Sequence, residues 1–233
     1  MANPNIELLT RIAEALGELR EQMVFVGGCA TGLLLTDAAA APVRATQDVD
    51  AIVAIVSLRD YHRLGEALRS KGFSQTPAEG EPPYRWTFAS MKLDVMPTDP
   101  TVLGFSNRWY EPALTTAVVT KLTEGVTIRL VKSDYFIATK LEAFLDRGQG
   151  DYLVSHDLED VLSVVDGRPE LVEEIMQATP ELRAYVAGVI GRLLEDEGFL
   201  NALPGLVIEG SPADRTPVVL QRLRALARLN EDT

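Results

Sequence analysis

The sequence predicts an α+β protein, a mixed β-sheet with flanking helices over residues 1–131 followed by a helical domain over 132–233. Two observations predict it. Short apolar runs, two of them closed by glycine or proline, alternate with helical patterns through the first half. Beyond Lys132-Ser133 the apolar residues fall almost entirely at helical spacing.

Taken in order, Ile6, Leu9, Ile12, Ala13, Leu16 and Leu19 recur at intervals of three and four, so a helix is expected over 6–23. Val24-Phe25-Val26 reads as a short strand stopped by Gly27-Gly28, and 29–35 as a helix opened by that pair. An alanine-rich connector ending in Pro42 leads to a strand beginning at Asp48, because every residue from Val49 to Val56 except Asp50 is apolar. Residues 57–71 suit a helix with Ser57 as N-cap and Gly72 past its end. Residues 80–83 suit a turn. Tyr84–Phe88 and Lys92–Met96 read as a hairpin around Ala89-Ser90, ended by Pro97. Residues 98–112 read as loop, and 114–119 and 126–131 as two more strands about Glu124-Gly125. Helix breaks are expected near 148–150, 167–169, Pro180, 204–205 and 210–212.

The 233 residues can bury a sizeable core, and 46% hydrophobic against 24% charged residues is the balance of a globular protein. No apolar run approaches the roughly 20 residues that span a bilayer, and no charged segment followed by an apolar one opens the chain. A cytoplasmic location without membrane contact is therefore expected. The single cysteine, Cys29, excludes an internal disulfide and a cysteine metal cluster. A net charge of −12 argues against non-specific nucleic-acid binding, although a local basic groove stays open.

Asp48 and Asp50 open a strand, and residues two apart share a face, so the two carboxylates stand side by side. Asp94, flanked by Leu93 and Val95, faces away from the core on a later strand. If the strands are neighbours the three acids converge, and such hard oxygen ligands suit Mg²⁺. The alternative is three unrelated strand-end carboxylates. A strand, Gly27-Gly28 and a helix start also form a turn whose N–H groups can approach a polyphosphate, though such a pair alone is equally a tight turn. Neither a P-loop nor a Rossmann fingerprint occurs.

The segments Phe25-Val26-Gly27-Gly28-Cys29-Ala30-Thr31, Arg44-Ala45-Thr46-Gln47-Asp48-Val49-Asp50 and Leu93-Asp94-Val95 together resemble the nucleotidyltransferase superfamily of polymerase-beta-like fold. Ala138-Thr139-Lys140-Leu141-Glu142-Ala143-Phe144, Arg147-Gly148 and Ser155-His156-Asp157-Leu158-Glu159-Asp160-Val161 resemble the lysine and aspartate motifs of its AbiEii-type branch, which includes abortive-infection and toxin enzymes. Coverage runs from about residue 20 to 165.

The resemblance implies that Asp48, Asp50 and Asp94 hold Mg²⁺, with Asp94 also favouring deprotonation of the acceptor. It implies that Gly27, Gly28, Cys29 and Thr46 contact the nucleotide. Cys29 stands where the family commonly has serine, which leaves only the backbone contact secure. Lys140 would meet the triphosphate, and Asp157, with Asp160 second, would act beside it. Read physically, Lys140 is equally a lysine snorkelling from the margin of an apolar stripe, and Asp157 an acid in the first turn of a helix capped by Ser155.

The reaction implied is transfer of a nucleoside monophosphate from an NTP to a hydroxyl, with release of pyrophosphate. The acceptor would be an RNA or tRNA 3′ end, with an antitoxin as partner, or a small hydroxylated molecule as in antibiotic-modifying relatives. A non-catalytic nucleotide-binding regulator is the reading from a different class. His62 and His156 are the only histidines, too few for a His-rich site. Trp86, Trp109 and Tyr110 could stack a base but suit packing better, and Arg44 and Arg85 could contact phosphate or simply face solvent.

Overall fold

In the computed structural model, residues 3–75, 81–147, 151–207 and 214–229 are described. The expected breaks at 148–150 and 210–212 fall outside them, as does Gly80 of the turn expected over 80–83; at the end of that segment the Arg85 N–H donates to the Pro82 carbonyl at 3.0 Å. The chain divides into two compact units: residues 1–32 with 44–132, and residues 33–43 with 133–233.

The first unit is built on a six-stranded mixed sheet. Its strands are β1 (Met23–Val26), β2 (Asp48–Val53), β3 (Arg85–Phe88), β4 (Met91–Pro97), β5 (Val118–Thr123) and β6 (Val126–Leu130), in the order β3-β4-β2-β1-β6-β5. β2 runs parallel to β4 and antiparallel to β1, while β1 runs parallel to β6. The two hairpins, β3–β4 and β5–β6, close the edges. Val49, Ala51, Leu93 and Val95 alternate onto one buried face, which leaves Asp48, Asp50 and Asp94 on the other.

Around the sheet lie α1 (Pro4–Leu16), α2 (Gly27–Leu34), α3 (Leu58–Ser70), α4 (Pro100–Leu103) and α5 (Tyr110–Thr116). Leu9, Ile12, Ala13 and Leu16 bury one stripe of α1. The helix expected over 6–23 is shorter, because Gly17 at φ +57° ends α1 and a 3-10 turn covers Gly17–Gln22. β2 stops at Val53, three residues short of the apolar run: the Val53 carbonyl accepts from the Thr98 N–H at 3.1 Å and also from the Ile55 N–H at 2.9 Å, which turns the chain out of the strand.

The expected loop over 98–112 contains α4, capped by Asp99 with Pro100 at its first position, and the start of α5. Residues 114–116, expected in a strand, complete α5 instead, and within it the Thr115 and Thr116 hydroxyls donate to the Pro112 carbonyl at 3.0 and 2.7 Å.

The second unit holds α6 (Ser133–Arg147), α7 (His156–Gly167), α8 (Leu171–Met176), α9 (Pro180–Glu195), α10 (Glu197–Leu206) and α11 (Thr216–Arg228). α6 packs on α7 and α9, and α11 on α9 and α7. Leu158, Val161, Leu162, Val164 and Val165 of α7, with Phe136, Ile137 and Leu141 of α6, form its core. α10 continues through Pro204, where a break was expected, and ends two residues later at Leu206. Segment 33–43 joins this unit by hydrogen bonds: the Thr36 and Asp37 N–H groups donate to the Gly167 carbonyl at 2.8 and 2.9 Å. Among the described residues no helix is long and apolar enough to cross a membrane.

Candidate active site

The parallel pairing of β2 with β4 places Asp50 opposite Asp94, with Asp48 one step along the same face. The three sequence-predicted acids are thereby brought to one patch of the first unit. Asp94 is 4% exposed, and Asp48 and Asp50 are half-buried.

Each carboxylate is held differently. Asp50 sits over the Gly-Gly turn: a β-carbon on Gly27 would stand 1.8 Å from its Oδ2, and Gly27 has φ +75°. Only glycine meets both conditions. The carboxylate lies beside the first residue of α2, where a helix start favours negative charge. Asp48 accepts from the Thr46 hydroxyl at 2.9 Å, so Thr46 orients an acid in this structure. Asp94 is gripped by Arg85, its cross-strand partner on β3: Nε donates to Oδ1 at 2.8 Å and Nη2 to Oδ2 at 2.7 Å, a bidentate pair. The same Nη2 reaches Asp48 Oδ2 at 3.2 Å, and Nη1 lies 3.5 Å from Glu81 Oε2. The carboxylates around it push the Arg85 pKa up, its hydrogen bond to Asp94 being the largest cause.

Cys29 presents no thiol to the patch. It is fully buried, its Sγ donates to the Asn5 carbonyl at 3.1 Å, and burial, with Asp50 and Asp48 nearby, pushes its pKa up to about 12. Asn5 itself went unread in the sequence. It is 1% exposed, its Nδ2 donates to the Arg44 carbonyl at 2.8 Å and its Oδ1 accepts from the Thr46 N–H at 2.9 Å, so it fixes the strand entrance carrying Thr46 and Asp48. Asn3 caps α1 with Pro4 at its first position, and nothing in that local motif points 40 residues ahead.

The donor set suits Mg²⁺ in kind, three hard carboxylates on neighbouring strands around a buried member. In this structure a guanidinium lies between two of them. Among the described residues, no three His, Cys, Asp or Glu side chains converge as they would around a metal ion.

The second unit carries its own charged cluster. Lys140 on α6 lies 3.1 Å from Asp157 Oδ1 and 2.7 Å from Asp160 Oδ2, both on α7 one turn apart. Arg147 adds a bidentate pair to Asp157, at 2.9 and 3.1 Å. Ser155 caps α7, as its position predicts, by accepting from the Leu158 N–H at 3.3 Å. Burial pushes the Asp157 pKa up, but Lys140 and Arg147 outweigh it and hold the group below the usual carboxylate value. The Lys140 side chain is only 12% exposed, so its ammonium is held in place at the helix margin.

The remaining candidates divide. Trp86 and Trp109 are buried at 2 and 3% exposure and pack rather than offer a face to a base. The Tyr110 hydroxyl donates to Met96 Sδ at 3.2 Å, and His156 is exposed beside Glu159.

Over 86% of its length the chain superposes on an antigenic nucleotidyltransferase-like protein from Paracoccidioides brasiliensis, covering 94% of that chain at 23% identity and a TM-score of 0.52. It has a nucleotidyltransferase-like fold. A protein from H. pylori assigned as a nucleotidyltransferase is similar at 15% identity over 99% of this chain and 95% of that one, with a TM-score of 0.46. No protein-family model matches the sequence, and no curated protein matches it significantly.

Proposed function

We propose that the chain is a Mg²⁺-dependent nucleotidyltransferase of the first unit's acidic face, moving a nucleoside monophosphate from an NTP to a hydroxyl. The observation that carries this reading is the placement of Asp48, Asp50 and Asp94 on one face of two parallel strands, with Asp50 seated on Gly27 where α2 begins. The nucleotidyltransferase-like fold supports it.

Asp48, Asp50 and Asp94 would hold the ion, which when bound supplies positive charge to neutralise the polyphosphate. The acceptor oxygen would form a bond to the α-phosphorus as the bond to pyrophosphate breaks, and the hydroxyl proton would pass to Asp94. To accept it, Asp94 must release one of the two oxygens held by Arg85. In the second unit, Lys140 and Asp157, 3.1 Å apart, are proposed as functional residues because they match the lysine and aspartate motifs. A small hydroxylated molecule or a short RNA 3′ end would serve as acceptor, the net charge of −12 disfavouring a long RNA track. The toxin-like assignment, and with it an antitoxin partner, rests on the lysine and aspartate motifs alone.

The test is incubation of purified protein with each α-labelled NTP, Mg²⁺, and either total RNA or a panel of small hydroxylated compounds. Label transfer with pyrophosphate release is expected, and Asp50→Asn should reduce it at least a hundredfold, as loss of about 3 kcal/mol of transition-state stabilisation implies. Labelling that survives the substitution sinks the assignment. A non-catalytic nucleotide binder is the second reading, favoured by the engagement of both Asp94 oxygens with Arg85. It predicts NTP binding without pyrophosphate for any acceptor.

A further inference from the structure

The Arg85 guanidinium occupies a defined position. One nitrogen, Nη2, lies 2.7 Å from Asp94 Oδ2 on β4 and 3.2 Å from Asp48 Oδ2 on β2, so it bridges two strands through their carboxylates. A cation shared by Asp48 and Asp94 would stand in the same place. The side chain is 21% exposed, which leaves it a path toward solvent, whereas the Asp94 side chain is 6% exposed and has little freedom to turn elsewhere. Divalent ions take carboxylate oxygens at about 2.0–2.6 Å, closer than any nitrogen donor approaches, so ion and guanidinium exclude one another both by space and by charge.

We infer that Arg85 is the resident counter-ion of the acidic face, and that a divalent ion enters only by displacing its guanidinium from Asp48 and Asp94. This rests on the reading of Asp48, Asp50 and Asp94 as the ion's ligands. Arg85 acts on that reading as a positioning residue: with no ion bound it keeps a buried carboxylate paired, and once displaced it is free to meet an anionic phosphate. Glu81, 3.5 Å from Nη1, gives the displaced fork a nearby partner.

The full chain is titrated with Mn²⁺ by calorimetry, as wild type, Arg85→Gln and Asp50→Asn, and each is melted in EDTA and in Mn²⁺. Arg85→Gln should bind one Mn²⁺ at least about tenfold more tightly than wild type, melt at a lower temperature in EDTA, and gain more from Mn²⁺. Asp50→Asn should weaken binding. Should Arg85→Gln fail to fold, the wild type is titrated with Mg²⁺ while arginine Nε–H signals are followed by NMR, with Arg85 assigned through Arg85→Lys. Its signal should move in step with ion binding.

Mn²⁺ binding by the wild type with equal or weaker binding by Arg85→Gln, or an Arg85 signal that stays still, overturns the competition and leaves the metal site standing. Mn²⁺ binding by none of the proteins above the Asp50→Asn level overturns the metal site and the competition together.

Discussion

At Gly27 two demands coincide, a backbone φ of +75° and the Asp50 carboxylate at the place a side chain would fill. Alanine pays the left-handed backbone cost of about 1–2 kcal/mol and must also drive the Asp50 carboxylate off its seat. Gly27→Ala is expected to lose roughly 2 kcal/mol or more in urea unfolding and to weaken Mn²⁺ binding alongside. A variant within about 0.5 kcal/mol of wild type would show that the seat tolerates a β-carbon. Asn5 matters at the same scale through its two side-chain hydrogen bonds to the strand entrance. Cys29, buried and bonded to the Asn5 carbonyl, belongs to this scaffold rather than to a phosphate contact through its thiol.

Among the elements, α6 and α7 show how far local pattern reaches. The apolar stripe and the Ser155 cap were legible, and helical spacing placed Asp157 and Asp160 on one ridge. That both face Lys140 depends on how the two helices pack. The Asp157 group, ordinarily at 3.8, is held lower in the fold. Its ionised form therefore contributes stability that is fully present above the unfolded value and is lost as pH falls through 3.8 and then through the depressed native value. Asp157→Asn should cost about 2 kcal/mol at pH 7, less than for a fully buried pair because Arg147 is largely exposed. The gap between variant and wild type should shrink when unfolding is repeated near pH 3. A gap that does not change with pH would mean that the network contributes nothing through its charge. At the β3–β4 hairpin the turn expected at Ala89-Ser90 is observed, and it pairs Phe88 with Met91 and, three steps on, Arg85 with Asp94.

For the whole molecule, net charge sets the expectation about partners. A protein at −12 that used many phosphate contacts would lose about 10³–10⁵ in affinity between 50 and 200 mM salt. Acceptor labelling is expected to change less than tenfold over that range, measured as initial rate at subsaturating acceptor; a steep fall would reveal a basic RNA track that the charge balance hides. The amino-acid sequence by itself determined the α+β class, most strands and helices, the shared face of Asp48 and Asp50, and the outward Asp94, because these follow from alternation and spacing within a few residues. It misread 114–116, which complete a helix, and the ends of the first helix and of β2, where a left-handed glycine and a turn closed on the Val53 carbonyl decided the outcome. Only the tertiary structure decided that β2 lies parallel to β4, that Asp50 rests on Gly27, that Asn5 holds the chain around Thr46, and that Arg85 bridges Asp94 and Asp48. The physical reason is that each joins segments far apart in the chain. No local preference specifies such a partner, and the choice among compatible pairings falls to the burial of the whole sheet.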